Sequence, residues 1–191
     1  MSVYSISLFL HIVGALGLFA AFGLEWASLN GLRRATVAGQ AREWARLLGA
    51  PRFVGGPAAL TLLVTGIHLS ATRWGPQGWI VVGLAGMVVI AVLGAAVSGR
   101  RAGAIARTLP AGDGPISAAL GQLLHDPVLR LSLALRTSLF LGVVFLMSTK
   151  PGTAGALAAM GVALLLGLAA ARPAWRSGRR PARMGSAPTG S

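Results

Sequence analysis

Five long apolar segments alternate along the chain with shorter polar segments. Each is close to twenty residues, the length at which an α-helix crosses the hydrocarbon core of a bilayer, about 30 Å thick. The pattern therefore predicts an all-α protein, a polytopic membrane helix bundle with five transmembrane helices in residues 1–171. The predicted spans are residues 3–24, 53–71, 79–98, 131–149 and 153–171.

The composition favours a membrane protein over a water-soluble one. Hydrophobic residues make up 54% of the 191-residue chain, charged residues make up 11%, and only four residues are acidic. These residues provide too little polar surface to keep a globular domain of this size dissolved. The chain has no cysteine, which excludes disulfide scaffolds, thiolate metal sites and iron–sulfur clusters.

Basic residues fall almost entirely at one end of the predicted bundle. Of the 17 lysines and arginines, only Arg73 and Lys150 lie at the other end. By the positive-inside rule this distribution predicts an outside N-terminus, a cytoplasmic C-terminus and a multi-pass protein of the inner (cytoplasmic) membrane. We expect the basic groups to contact the lipid bilayer, including its anionic headgroups, and we expect no specific nucleic-acid partner.

The polar segments also carry structural signals. Apolar residues at helical spacing predict a helix on the inner leaflet over residues 37–48, and a second short helix is expected over residues 115–125. Asp126 is a suitable cap for span four. Short outer connections predict that spans two and three pack as one hairpin and spans four and five as another. Residues 172–191 have the composition of a disordered, basic cytoplasmic tail.

Few ionisable residues lie within the spans, and each is a candidate for function because burying it in lipid costs free energy. On a helical wheel, two stripes carry the polar residues of spans one and two. The residues within about 40° of His11 are Tyr4, Ser7, Leu18, Phe22 and Glu25, and those within about 40° of His68 are Pro57, Thr61, Val64 and Thr72. We expect both stripes to face the bundle interior. Glu25 and Arg136 lie near the inner ends of their spans and are expected to pair.

Two histidines in a lipid-shielded interior suggest metal ligation. His11 and His68 are the candidate cofactor-binding residues, most plausibly for the iron of a b-type haem held between helices, with Met147 or Lys150 as alternative second ligands. Copper ligation by His and Met is a further possibility. The structural alternatives are that each histidine hydrogen-bonds a neighbouring helix through Ser7, Thr61 or Thr65, and that Lys150 anchors span four at the outer interface.

The first span, Leu10-His11-Ile12-Val13-Gly14-Ala15 running to Gly23, resembles the opening helix of a loose group of small bacterial membrane proteins. This group includes the CopD-type copper-resistance proteins, the HemJ-type protoporphyrinogen oxidases and predicted integral-membrane families of unknown function. The segment Met147-Ser148-Thr149-Lys150-Pro151 is similar to the Met-x-x-Lys-Pro ending of a late helix in one of those families. The resemblance implies a helical bundle whose first-helix histidine, His11, holds haem.

The sequence therefore predicts a haem-binding membrane protein with a redox or haem-related role. The alternative is a non-enzymatic accessory for transport, assembly or copper handling, in which the histidines are structural. A membrane redox or transport partner is possible in either case, and the oligomeric state is left open. Motifs of hydrolases, nucleotide-binding proteins and zinc proteases are missing from the sequence, so the reaction, if there is one, is also left open.

Overall fold

A computed structural model of the chain describes residues 2–177, and it describes side chains as far as residue 171. This part of the chain contains helices and no β-strand. The helices are α1 Val3–Arg34, α2 Ala38–Gly49, α3 Pro51–Leu69, α4 Gly78–Val92, α5 Arg100–Thr108, α6 Ala118–Leu124, α7 Pro127–Thr149 and α8 Thr153–Ser177. Two π-helical segments interrupt the series, namely Ser70–Trp74 after α3 and Leu93–Gly99 between α4 and α5.

Five helical stretches in the described part are long and apolar enough to cross a membrane, which confirms the predicted all-α fold and the number of spans. They are Val3–Arg34, Ala38–Trp74, Gly78–Thr108, Ala118–Thr149 and Thr153–Ala171. The orientation and the identity of the membrane remain predictions. The predicted tail overlaps the end of α8, which runs to Ser177, and residues 178–191 lie outside the described residues.

The short helices form where local signals predict them. The helix predicted over residues 37–48 is confirmed as α2, its place on the inner leaflet stays a prediction, and α6 occupies the middle of the second predicted segment. The carboxylate of Asp126 accepts a hydrogen bond from the backbone N–H of Val128 at 2.8 Å, and Pro127 holds the first position of α7. This arrangement satisfies a free N–H group and uses proline where its missing N–H costs nothing.

Small residues determine which helices pack together. A β-carbon on Gly14 would lie 3.1 Å from the backbone oxygen of Ala58, and one on Gly55 would lie 3.2 Å from Cβ of Ala21. These contacts let the α1 and α3 backbones approach closely. On the other side of the bundle, α7 contacts both α4 and α8, and Gly86 of α4 lies against Met160 of α8.

The predicted hairpin of spans four and five is confirmed, whereas the hairpin of spans two and three is wrong. Helices α3 and α4, both described in full, make hardly any close contacts with each other. The reason is that α3 packs on α1 through the small residues above, while α4 packs on α7 and α8. The π-helical segment Ser70–Trp74 and a left-handed Gly75, with φ of 64°, let the chain turn between two helices that diverge.

The tightest core lies at the end of the bundle that is predicted to be cytoplasmic, which we call the inner end, the opposite end being the outer end. Here the spans extend beyond the length needed to cross a bilayer. Helix α1 alone has 32 residues, about 48 Å at 1.5 Å per residue. It contacts α2 and α6, and α5 packs against both of these short helices. The residues of this core are aliphatic and almost completely buried. They include Leu29, Leu32, Ile105, Leu120, Leu124 and Leu129.

The predicted Glu25–Arg136 pair is confirmed. Nη1 of Arg136 donates to Oε1 of Glu25 at 3.1 Å and Nη2 donates to Oε2, so the contact is bidentate. Nη1 also donates to the hydroxyl of Ser98 at 2.8 Å, within the second π-helical segment. Both charged residues are buried, with Glu25 7% and Arg136 6% exposed. The pair therefore links α1 to α7 inside the apolar region.

Candidate functional site

His11 on α1 contacts two other helices through its two ring nitrogens. Nδ1 lies 2.9 Å from the hydroxyl oxygen of Thr65 on α3, and Nε2 lies 3.3 Å from Sδ of Met147 on α7. The ring is half-buried and packs beside Gly66, where a β-carbon would lie 3.2 Å from Cε1 of the imidazole. The absence of a side chain at Gly66 thus makes room for the ring.

The hydrogen bonds of Thr65 determine which nitrogen carries the proton. Its hydroxyl donates to the backbone oxygen of Thr61 at 2.6 Å. If the hydroxyl proton is used there, the Thr65 oxygen accepts from Nδ1 of His11, and in a neutral ring Nε2 is then the unprotonated nitrogen. Nε2 then carries a lone pair, and its neighbour is a thioether that has no proton to donate. His11 therefore presents a free metal-ligating or proton-accepting atom.

Nε2 and Sδ lie at the wall of a cavity of about 240 Å³. Residues of α1, α3, α4 and α7 line it. Helices α3 and α4 hardly touch each other. The lining is mostly apolar; it comprises Tyr4, Leu8, His11, Ala15, Leu62, Leu63, Gly66, Leu69, Ser70, Trp74, Trp79, Ile80, Gly83, Leu84, Met87, Phe140, Val143, Val144, Leu146, Met147 and Lys150.

Aromatic rings and two cations surround the outer end of this cavity. Nζ of Lys150 lies 4.3 Å from the centre of the Trp74 ring, and the guanidinium carbon of Arg73 lies 4.8 Å from the centre of the Tyr4 ring. Trp74 contacts Trp79 edge to face at 6.1 Å between ring centres. Lys150 caps α7 in a left-handed conformation, with φ of 49°, which is uncommon for a residue other than glycine.

The structure brings together three of the four predicted site residues. His11, Met147 and Lys150 line the cavity, whereas His68 is not among its lining residues. His68 follows the cavity-lining Gly66 by two residues, which places it about 160° around the helix from Gly66 at 100° per residue. Among the described residues, its side chain makes no hydrogen bond within the usual distance.

The inward stripe predicted for span two around His68 is wrong. Val64, which belongs to that stripe, is 58% exposed, while the buried residues of α3 beyond Pro51 are Ala58, Leu62 and Thr65. The buried face of α3 is the one whose small residues allow close approach to α1. The hydroxyl-bearing residues near His68 do not determine which face of α3 is buried. The corresponding stripe of span one is confirmed in its inner part, since Leu18, Phe22 and Glu25 are buried.

Sequence reasoning missed the two tryptophans of the cavity. Trp74 and Trp79 lie near span ends, where aromatic residues are expected in any membrane protein, so their positions alone do not indicate a site. Tyr4, predicted to share the His11 face of span one, does line the cavity. Thr65 was named only as a possible structural partner. Thr65 lies about one turn before His68, so the sequence alone suggests that both residues lie on one face of α3. The packing of α3 separates them, because Thr65 is buried and His68 does not line the cavity.

Chemically, the site offers one imidazole nitrogen, one thioether sulfur and one ammonium group in apolar surroundings. Within residues 2–177 no three His, Asp or Glu residues cluster closely enough to hold a metal ion by themselves. A ligand that needs one or two protein donors and a large apolar contact surface matches this set. Comparison of the chain with protein-family models, curated proteins and solved structures finds no match. The resemblance to the CopD-type and HemJ-type proteins therefore stays a prediction.

Proposed function

We propose that this chain is an integral membrane protein that binds a b-type haem in the cavity between α1, α3, α4 and α7, in a redox or haem-related role. The observation that carries the proposal is the position of His11, which lines an apolar cavity with Nδ1 2.9 Å from the Thr65 hydroxyl and Nε2 3.3 Å from Sδ of Met147. One neutral imidazole is the minimal protein ligand for haem iron, and the remaining binding energy comes from apolar contact with the macrocycle.

The partner of Nδ1 supports this role for His11. Histidines that ligate metals usually donate the other ring N–H to an oxygen, which fixes the tautomer and the orientation of the ring. The Thr65 hydroxyl supplies that oxygen here, at 2.9 Å. The tautomer needed for ligation by Nε2 is therefore already selected by the contact between α1 and α3.

Met147 is the best candidate for a second residue that would hold the iron. Its Sδ lies 3.3 Å from Nε2 of His11, and its unbranched side chain with three rotatable bonds can adjust to a group bound between them. His68 is not part of this proposal because it lies away from the cavity.

The short distance between Nε2 and Sδ favours a second candidate function, a non-enzymatic role in copper handling. If both atoms bound one metal ion at about 2.0 and 2.3 Å, a separation of 3.3 Å would correspond to an angle of about 100° at the metal. Thioether and imidazole ligands together suit Cu(I). This candidate uses the observed positions of His11 and Met147 without a shift.

Absorption spectra of the detergent-purified protein from haem-replete cells test the proposal. We expect a Soret band that disappears in His11→Ala and persists in His68→Ala, the matched histidine control. Met147→Leu should keep the Soret band and change the spectrum of the reduced protein, because the iron loses a strong axial ligand. Gel filtration confirms that each variant is folded.

Other outcomes separate the two candidates. A colourless, folded protein that binds one copper ion per chain, and loses it in both His11→Ala and Met147→Leu, would overturn the haem proposal in favour of copper handling. Loss of the Soret band in His68→Ala with retention in His11→Ala would contradict the assignment of the ligand. A folded protein without haem or copper would reject both candidates.

A further inference from the structure

Two cations at the outer end of the cavity have no carboxylate partner within the chain. All four acidic residues belong to the other end: Glu25 pairs with Arg136, Asp113 contacts Arg42, Asp126 caps α7, and Glu43 lies on α2. Arg73 and Lys150 therefore give the outer end a local charge of about +2 that no other side chain neutralises.

Both cations lie over aromatic rings that line the cavity. Lys150 lines the cavity itself and lies 4.3 Å from the centre of the Trp74 ring, whereas Arg73 is exposed at its edge and lies 4.8 Å from the centre of the Tyr4 ring. An aromatic face attracts a cation through its quadrupole but leaves the full charge in place. A lysine that served only as an interface anchor would extend among the headgroups, whereas Lys150 itself lines the cavity.

The distances along the helices place these cations within reach of a ligand bound at His11. Lys150 is three residues beyond Met147, about 4.5 Å along the helix, and Tyr4 is seven residues before His11, about 10 Å. A flat ligand coordinated by His11 thus has one edge near the cations. A neutral edge would leave both charges unpaired, whereas an edge with two carboxylates would pair with both.

We propose that Lys150 and Arg73 form an anion-binding mouth that recognises two carboxylates on one edge of the ligand. This inference rests on the proposed function and makes it specific: the cavity selects porphyrins with free propionate groups over their neutral esters. The same cations exclude ligands that carry positive charge at that edge.

Titration of the haem-free protein in detergent tests the inference with two probes, iron protoporphyrin and its dimethyl ester, each followed by the Soret band. A single surface ion pair contributes little to the binding free energy, but the free acid can form two such pairs and the ester none. We therefore expect the wild type to bind the free acid about tenfold more tightly than the ester. Lys150→Gln and Arg73→Gln should each reduce this preference about threefold, and the double variant should lose it. Higher salt should weaken the preference.

Arg52→Gln is the matched control, because Arg52 also lies over an aromatic ring, 4.7 Å from the centre of Phe53, but at the inner end of the bundle. It should keep the wild-type preference. Equal binding of acid and ester by the wild type would overturn the inference while leaving haem binding intact, and so would an unchanged preference in the double variant. Failure of the wild type to bind either porphyrin would overturn both the inference and the proposed function.

Discussion

At the scale of single residues, the Glu25–Arg136 pair shows how the chain places charge inside an apolar region. Both partners are buried, and the contact is bidentate with an added hydrogen bond from Arg136 to Ser98. The guanidinium also lies 5.1 Å from the centre of the Phe22 ring. Removal of one partner would leave the other charge buried without compensation, and that is more costly than removal of both.

We therefore expect Glu25→Gln to lower the free energy of unfolding by about 3–5 kcal/mol. The double variant Glu25→Gln, Arg136→Met should recover a large part of the loss, because no isolated charge remains. Denaturant titration in micelles measures both values. Glu43→Gln, an exposed position on α2, is the control and should stay within about 0.5 kcal/mol of wild type. Additive effects of the two replacements would argue against a coupled pair.

This pair could be predicted from the sequence because Glu25 and Arg136 lie at similar depth in apolar segments and each needs a partner. The surroundings of His11 could not be predicted in the same way. The wheel shows which residues share a face of one helix, but it does not show which face of α3 meets α1. That choice depends on the fit of Gly14 against Ala58 and of Gly55 against Ala21, which is a property of two surfaces together.

At the scale of helices, two π-helical segments determine side-chain positions that hydropathy could not predict. The segments Ser70–Trp74 and Leu93–Gly99 lie within or beside apolar stretches that would support an ordinary α-helix equally well. A π-helical turn changes the direction of the side chains that follow, and such turns are frequent at functional sites. The first segment places Trp74 at the cavity, and the second provides Ser98 for Arg136.

Two glycines of α8 differ sharply in their surroundings. A β-carbon on Gly167 would lie 2.3 Å from Oγ of Ser138 and 3.0 Å from Cα of Leu135 on α7, whereas one on Gly161 would meet no atom within 4 Å. Glycines recur along span five, and the structure shows which of these two packs against α7. Only Gly167 of these two carries a helix contact.

We expect Gly167→Ala to destabilise the protein by about 1–3 kcal/mol, because α7 and α8 have to separate. Gly161→Ala, the control in the same helix, should be neutral or stabilise it by as much as about 1 kcal/mol through helix propensity. Thermal unfolding in detergent measures the difference. Equal effects of the two substitutions would mean that α8 does not pack on α7 through Gly167.

At the scale of the whole molecule, the two ends of the bundle differ in packing and in charge. The inner end has a tight aliphatic core under α2, α5 and α6 and contains all four acidic residues, whereas the outer end is divided by the gap between α3 and α4. Hydropathy predicts the spans, but it does not predict this difference between the two ends. The reason is that the core beneath α2, α5 and α6 is built from segments that are distant in the sequence.

Labelling of single introduced cysteines tests the orientation of this asymmetric bundle in the membrane. The chain is suited to this method because its own sequence contains no cysteine. Gly152 in the α7–α8 connection and Gly112 in the α5–α6 connection are both exposed, and a β-carbon at either meets no atom within 4 Å. The excess of arginine on the Gly112 side predicts that this side is cytoplasmic. A membrane-impermeant maleimide should therefore label Gly152→Cys in intact cells and label Gly112→Cys only after lysis. The reverse pattern would place the histidine cavity in the cytoplasmic half of the membrane, so the ligand would enter from the other leaflet.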